Sequence, residues 1–334
     1  MSQTPKRRAT IRRIATFAAI ALSSSLLLPA HAQAPAGYPN KAIRFVVPYA
    51  PGGLPDTVAR IVAQRLGDRL GQSVVVDNRP GANGGVAAGV MASGPADGYT
   101  FLVTDGSMFS INPLIYTKLT YNPSQDFVPV ALVARAPLFL ALHPKVPVNS
   151  MSEWLAYVKA NPGKLNYGSS GIGSTHHLTM EAMKATLGLD IVHVPFKGTG
   201  QSVPALVSGQ VEMLFSAYPS LVGFVKDDRV KLIATNGAKR SDLAPGVPAV
   251  AEVIPGFDMA PIVGVFAPAG TPPGIIHRVA AEVQAITKMP DAIKAMQVAG
   301  IDPVFADSAG YAKAIAEENE RLAKAIHAAK LQPN

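Results

Sequence analysis

From residue 43 onward, short apolar runs bounded by turn residues alternate with longer stretches whose apolar positions recur every three or four residues. This is the pattern of strands alternating with helices. Ile43-Arg44-Phe45-Val46-Val47 predicts a buried strand, and Val58, Ile61, Val62 and Leu66 mark one face of a helix beyond the loop Pro48 to Asp56. Val74 to Val76 predicts the next strand, Pro80 to Gly85 a glycine-rich turn, then a small-residue helix to about Ala92 and a strand over Thr100 to Thr104. Two apolar runs fill Val128 to Leu142, with only Ala136-Pro137 between them. The alternation then restarts. Ser150-Met151-Ser152-Glu153 has the form of a capping box opening a helix over 151–161. A strand over Leu165 to Ser169 precedes a helix from about Ser174 to Leu187, stopped by Gly188. Further strands are predicted over Ile191 to Phe196, Glu212 to Phe215 and Lys231 to Thr235. The run Ile262 to Ala267 precedes three helical patterns, over 272–288, 290–299 and 308–329.

The alternation predicts α/β architecture with largely parallel sheets. A restart bounded by two extended runs predicts one domain inserted into another. Residues 33–135 and 262–334 would form a discontinuous α/β domain, residues 136–261 an inserted one, with crossover strands near 135 and 261. No repeat of 20–50 residues is visible, which argues against a solenoid. Trp154, with Leu155 and Val158, reads as core.

The first 32 residues follow a different pattern. Residues 6–13 are basic, Ile14 to Leu28 is apolar and small, and Ala30-His31-Ala32 has the small-x-small form of a cleavage site. This order predicts a secretory signal peptide over 1–32, with a mature chain from about Gln33 in the periplasm. An uncleaved anchor is the alternative, although the apolar stretch is short for a membrane span. Arg12-Arg13 raises a twin-arginine route, but Ile14-Ala15-Thr16 continues it poorly, so the general secretory route fits better. No later segment reaches 18 unbroken apolar residues, so the mature chain is expected to be soluble.

Charge changes meaning once this segment is set aside. The chain of 334 residues has 30 Lys and Arg against 22 Asp and Glu, or +8. Five of those bases are Lys6, Arg7, Arg8, Arg12 and Arg13; without residues 1–32, 25 bases face 22 acids, or +3 over 302 residues. That is not the balance of a nucleic-acid binder. Apolar residues at 48% and charged residues at 16% provide for a sizeable core and exclude global disorder. The absence of cysteine excludes disulfides, thiol catalysis and cysteine-bound zinc.

Four loops at strand ends carry candidate chemistry, and ligands of open α/β sheets sit at such ends. In Pro48-Tyr49-Ala50-Pro51-Gly52-Gly53-Leu54-Pro55-Asp56, the two glycines permit a tight turn and the following helix start offers free amides and a positive dipole end. Such a terminus suits an anion, although an ordinary strand-to-helix turn has the same composition. In Tyr167-Gly168-Ser169-Ser170-Gly171-Ile172-Gly173-Ser174-Thr175-His176, serines, Thr175 and backbone amides supply neutral donors for a carboxylate, or simply cap the helix. This segment is neither a dinucleotide fingerprint nor a Walker loop. Pro195 to Gly200 adds Lys197 and Gly198, where the lysine either attracts an anion or is a solvated loop residue, and the strand beyond Gly209 ends at Ser216. Asp105-Gly106-Ser107 is the fourth loop.

Enzyme signatures are weak. No Gly-x-Ser-x-Gly elbow occurs. His176 and His177 are adjacent, so on a helix they diverge by about 100° and do not chelate as a pair. His177 and Glu181 share a helix face, where a salt-bridge or capping role is commoner than a metal site. No cofactor is called for.

The chain resembles the periplasmic substrate-binding proteins of tripartite tricarboxylate transporters, the Bug-type receptors. The resemblance rests on Pro48-Tyr49-x-Pro51-Gly52-Gly53-x-x-Asp56-x-x-Ala59-Arg60, Val76-x-Asn78-Arg79-Pro80-Gly81-Ala82 and Asp97-Gly98-Tyr99-Thr100. It continues in Leu165-Asn166-Tyr167-Gly168-Ser169-Ser170, His193-Val194-Pro195-x-Lys197-Gly198, Gly209-Gln210-Val211 and Ala267-Pro268-Ala269-Gly270-Thr271-Pro272, in this order over the whole mature chain. It implies a two-domain, type II Venus-flytrap fold with the two crossover strands as hinge and the ligand in the cleft. It further implies a carboxylate held near the first loop by backbone amides and ordered waters, and a second polar end at the helix start Ser170 to His176. The expected partners are a small carboxylate and the membrane permease of such a transporter, with the receptor itself a monomer and not an enzyme.

Phe215-Ser216 departs from the Phe-Asp common in these receptors, where the acid receives a ligand ammonium, and Ala260-Pro261 stands where a Trp is frequent. Both departures favour an acid without an ammonium group, aromatic carboxylates included, with Tyr49 and Phe109 as stacking surfaces. The same cleft would also serve a sensory receptor signalling to a membrane kinase. A secreted hydrolase with His176 as base and Ser170 or Ser174 as nucleophile is the other alternative.

Overall fold

The computed structural model describes residues 34–49, 51–81, 84–196 and 198–330; the expected signal peptide over 1–32 and Lys197 lie outside them. In chain order, β1 (Ile43–Val47), α1 (Leu54–Leu70), β2 (Val74–Asn78), α2 (Gly85–Ala92) and β3 (Thr100–Asp105) lead to two single-turn helices, α3 (Ser107–Ser110) and α4 (Asn112–Ile115). Then come β4 (Phe127–Arg135), β5 (Leu138–Leu142), α5 (Met151–Ala160), β6 (Asn166–Ser169), α6 (Thr175–Leu187) and β7 (Val192–Pro195). They are followed by α7 (Thr199–Val207), β8 (Met213–Ala217), α8 (Tyr218–Lys226) and β9 (Lys231–Thr235). The chain ends with β10 (Ile262–Pro268), α9 (Pro273–Ile286), α10 (Pro290–Val298), β11 (Asp302–Ala306) and α11 (Ser308–Ala328).

The strands form two sheets, ordered β11-β4-β10-β3-β1-β2 and β7-β6-β8-β5-β9. Each is a parallel trio extended by antiparallel strands: β2, β1 and β3 run together, as do β7, β6 and β8. The expectation of largely parallel sheets is therefore corrected to mixed ones. The cause is the chain path. β4 runs on into β5 through Ala136-Pro137, carrying the chain from the first sheet to the second, and β10 brings it back, so β10 opposes both β4 and β3. In the second sheet β5 likewise opposes β8 and β9.

Both faces of each sheet are covered, which explains the near-continuous apolar strands. Phe45 and Val47 pack with Val58, Val62 and Leu66 of α1 and with Val279 and Val283 of α9 on one face. Val46 and Leu102 meet Met91, Phe266 and Tyr311 on the other. In the second sheet Leu138, Leu140, Met213 and Phe215 face one way with the fully buried Trp154, whereas Phe139, Ala141 and Leu214 face the other. Helix α11 belongs to both halves: Tyr311 lies in the first sheet's core, Leu322, Ala325 and Ile326 in the second's.

The two crossing segments are joined directly. Ala136 N–H donates to Pro261 O at 3.0 Å. Beside them Asn236, fully buried, accepts Leu138 N–H on Oδ1 at 2.8 Å and donates Nδ2 to Met259 O at 2.8 Å. Its backbone N–H reaches Leu138 O at 2.9 Å and its carbonyl accepts Met259 N–H at 2.8 Å.

Candidate functional site

A cleft of about 470 Å³ opens between the two sheets, lined from one side by Tyr49, Asp105, Ser107, Ile111 and Tyr116 and from the other by Ser170 to His176. Among the described residues the lining includes no lysine or arginine.

The first wall is built on the ends of β1 and β3. Tyr49 places its hydroxyl 2.7 Å from Ser107 Oγ and donates to Asp105 Oδ1 at 3.2 Å. Ser107 donates its backbone N–H (3.0 Å) and its hydroxyl to the same carboxylate oxygen. Burial raises the Asp105 carboxyl, opposed by the donors of Ser107 and Tyr49. Burial, then the neighbouring Asp105, hold the Tyr49 phenol well above its ordinary range, so it stays neutral, its hydroxyl donating to Asp105.

Behind this wall, Asp56 braces the loop that follows Tyr49. Its carboxylate accepts Gly52 N–H at 2.8 Å, Arg60 Nε at 3.0 Å and Asn78 Nδ2 at 2.9 Å. Asn78 Nδ2 also holds Tyr49 O at 2.9 Å. Burial opposes ionisation of Asp56, but the bonds from Arg60, Gly52 and Asn78 outweigh it and the carboxyl lies below its usual range. Helix α1 begins at Leu54 with Pro55 in its first turn, leaving the Leu54 and Asp56 amides without intrahelical partners.

The second wall is the β6–α6 connection. Ser174 caps α6, accepting His177 N–H at 3.3 Å and donating to Gly171 O at 2.7 Å. Ser170 Oγ lies 2.8 Å from His176 Nδ1, and burial pushes the His176 imidazole down to about 4, so it is neutral near pH 7. This is the serine–histidine contact a hydrolase would need. Among the described residues, however, no carboxylate hydrogen-bonds to His176, and so weak a base is poorly matched to neutral-pH catalysis.

Of the residues singled out from the sequence, Tyr49, Asp105, Ser107, Ser170, Ser174, Thr175 and His176 meet in the cleft. Gly52, Gly53, Leu54, Pro55 and Asp56 lie beside it rather than on its lining, and two of them are already committed: the Gly52 amide is bound to Asp56, whose carboxylate is fully engaged. Ser169 is buried behind the second wall, bonded to Gly171 and His193. Gly198 starts α7 and does not line the cleft. Ser216 is fully buried with no partner for its hydroxyl among the described residues; it alternates with Phe215 onto the Leu214 face of β8. Phe109 stacks on Phe266 at 4.1 Å inside the first sheet's core and offers no surface to the cleft. Ile111 and Tyr116 were not anticipated, because they flank single-turn helices too short to show a period. His177 and Glu181 do not pair: His177 accepts from Gly173, whereas Glu181 takes the Tyr167 hydroxyl and Lys184, each at 2.6 Å. Among the described residues no group of three His, Cys, Asp or Glu is placed to hold a metal ion, and no helix is long and apolar enough to cross a membrane.

Residues 58–331 match the family model described as tripartite tricarboxylate transporter family receptor. BugT of Bordetella pertussis is 33% identical over 291 residues, covering 86% of this chain and 89% of its own length. A Rhodopseudomonas palustris protein solved with adipate superposes with a TM-score of 0.77 at 32% identity, over 89% of this chain and 100% of that one. MatC from the same organism, with bound malate, gives 0.70 at 30%, over 86% and 100%. The two-sheet α/β architecture is that of the two-domain periplasmic binding proteins.

Proposed function

Because the chain belongs to the tripartite tricarboxylate transporter receptor family, among the Bug-type receptors, we propose that it captures a small carboxylate in this cleft and delivers it to the transporter's membrane permease. It works in the periplasm, as a monomer, after removal of residues 1–32. Residues 33–135 with 262–334, and residues 136–261, act as the two closing bodies, with Leu322, Ala325 and Ile326 of α11 packed on the second, and the crossing segments near 135 and 261, joined by Ala136 N–H and Pro261 O, are the hinge. The observation that carries this reading is the second wall, Ser170 to His176, which turns hydroxyls and backbone amides to the cleft, with no lysine or arginine among the described lining residues. Preorganised hydroxyls and amides offset the desolvation of a carboxylate without a counter-charge.

One end of the acid lies against Tyr49, Ser107 and the start of α1, the other against Ser170, Ser174, Thr175 and His176. The body of the ligand meets Ile111, Tyr116 and Ile172, which the cleft lining contributes as its apolar part. Those residues, rather than Ser216 or Phe109, favour an aliphatic or aromatic body over an ammonium-bearing one. Closure follows from tighter binding to the closed state, since a ligand equally bound to both states shifts nothing.

Thermal shift and calorimetry on residues 33–334 test the reading with adipate, malate, benzoate and glutamate. An acid without an ammonium group should raise the midpoint by several degrees when present at about 100 times its dissociation constant. Best binding by glutamate would discard the proposed ligand class while keeping the receptor. Size-exclusion chromatography with light scattering checks the monomer.

A further inference from the structure

Two histidines stand directly behind the second wall and line none of the cleft. His177 of α6 and His193 of β7 stack face to face, 4.1 Å between centroids and 15° between planes, and Tyr167 of β6 stacks on His193 at 4.7 Å. Each imidazole reaches the cleft wall by one nitrogen. Gly173 donates its backbone N–H to His177 Nδ1 at 3.2 Å. His193 Nε2 lies 2.7 Å from Ser169 Oγ, which in turn accepts Gly171 N–H at 3.1 Å. The two rings thus secure the amides on either side of Ile172. Gly171 and Gly173 have φ of 131° and 76°, where the chain has little intrinsic preference for one peptide orientation. The wall's geometry is therefore imposed from behind.

We propose that His177 is a positioning residue for ligand capture: its unprotonated Nδ1 fixes the Gly173 peptide, and with it the direction in which Ser170 to His176 face the ligand. This rests on the reading that the wall contacts the carboxylate. The acceptor role requires the tautomer with the proton on Nε2. Protonation of Nδ1 would set N–H against N–H and release the peptide.

The surroundings keep the ring neutral. Burial pushes the His177 imidazole down, Glu181 of the same helix opposes this, and Lys184 adds to it. Glu181 is already engaged by Tyr167 and Lys184. His193, pushed down to about 4 by burial and by His177, disfavours a second charge in the stack.

The test compares wild type with His177→Asn, whose Oδ1 keeps an acceptor near the Nδ1 position, and His177→Phe, which keeps the ring stack without one. Calorimetry with adipate and benzoate at pH 7 should show His177→Phe at least tenfold weaker and His177→Asn within about threefold of wild type. As pH is lowered, His177→Asn should retain more of its affinity than wild type does. In ligand-free protein, hydrogen exchange at the Gly173 amide should speed up in His177→Phe alone. Equal loss in both variants would overturn the proposal, because that is the signature of packing. An unchanged Gly173 amide and unchanged affinity in His177→Phe would overturn it as well. If neither acid binds wild type, the ligand reading fails, while the Gly173 exchange rates still decide whether His177 positions the wall.

Discussion

A methyl group at Gly106 would overlap a carboxylate oxygen of Glu318. The backbone there, at φ −66°, is ordinary, so the glutamate, not the chain conformation, demands glycine. Gly106→Ala should lower stability by about 1–3 kcal/mol in denaturant titration, and a Glu318→Ala background should recover much of that loss. Glu318 is itself unusual. It is buried, accepts the Ser110 hydroxyl at 3.3 Å, and has no ion-pair partner among the described residues. Burial, then the nearby Asp105 charge, lift its carboxyl from 4.5 to about 8. The unfolded chain releases this proton near 4.5 and the folded one near 8, so the folded state binds more protons between those values. Stability should therefore fall as pH rises from about 5 to 8, by something on the order of a few kcal/mol. Thermal midpoints between pH 5 and 9 check this, and Glu318→Gln should flatten the slope. None of this was legible in the sequence, since nothing in Asp105-Gly106-Ser107 announces a partner from the last helix.

At the scale of elements, legibility followed the strength of local signals. Helix α6 was readable because Ser174 caps it and Gly188, at φ 64°, ends it. Helix α5 was readable from Ser150, which accepts Glu153 N–H at 3.2 Å. The return arm of that box differs from expectation: Glu153 accepts the amide of Asn149 at 2.7 Å, one residue earlier. Ser150→Ala should cost about 1 kcal/mol, measured by thermal unfolding. Strand β11 was missed because Pro303 interrupts it and it lies half-buried at the sheet edge, where a proline is tolerated. Helix α8 also gave no signal that competed with the strand before it. The antiparallel sense of β5 and β10 was invisible for a deeper reason: alternation of apolar residues has no direction. The same limit misplaced Ser216, since a strand end can be located without knowing which face its last side chain takes.

For the whole molecule, the passage from one sheet to the other and back was legible because two extended runs bracket a second series of strands and helices. Asn236, which fastens both crossings, was not, being one polar residue after a predicted strand. Asn236→Leu would leave the Leu138 amide and the Met259 carbonyl without their side-chain partner in a dry site. It should reduce stability by roughly 2–4 kcal/mol in denaturant unfolding. The strand order also sets an order of assembly. Strand β10, residues 262–268, lies between β3 and β4, so a chain emerging amino end first holds two flanks of a sheet whose middle has not arrived. The second sheet, complete by residue 235, has all its strands first. A chain stopped at residue 261 would thus carry one finished sheet and one with an open gap at its centre, and only the arrival of β10 closes it.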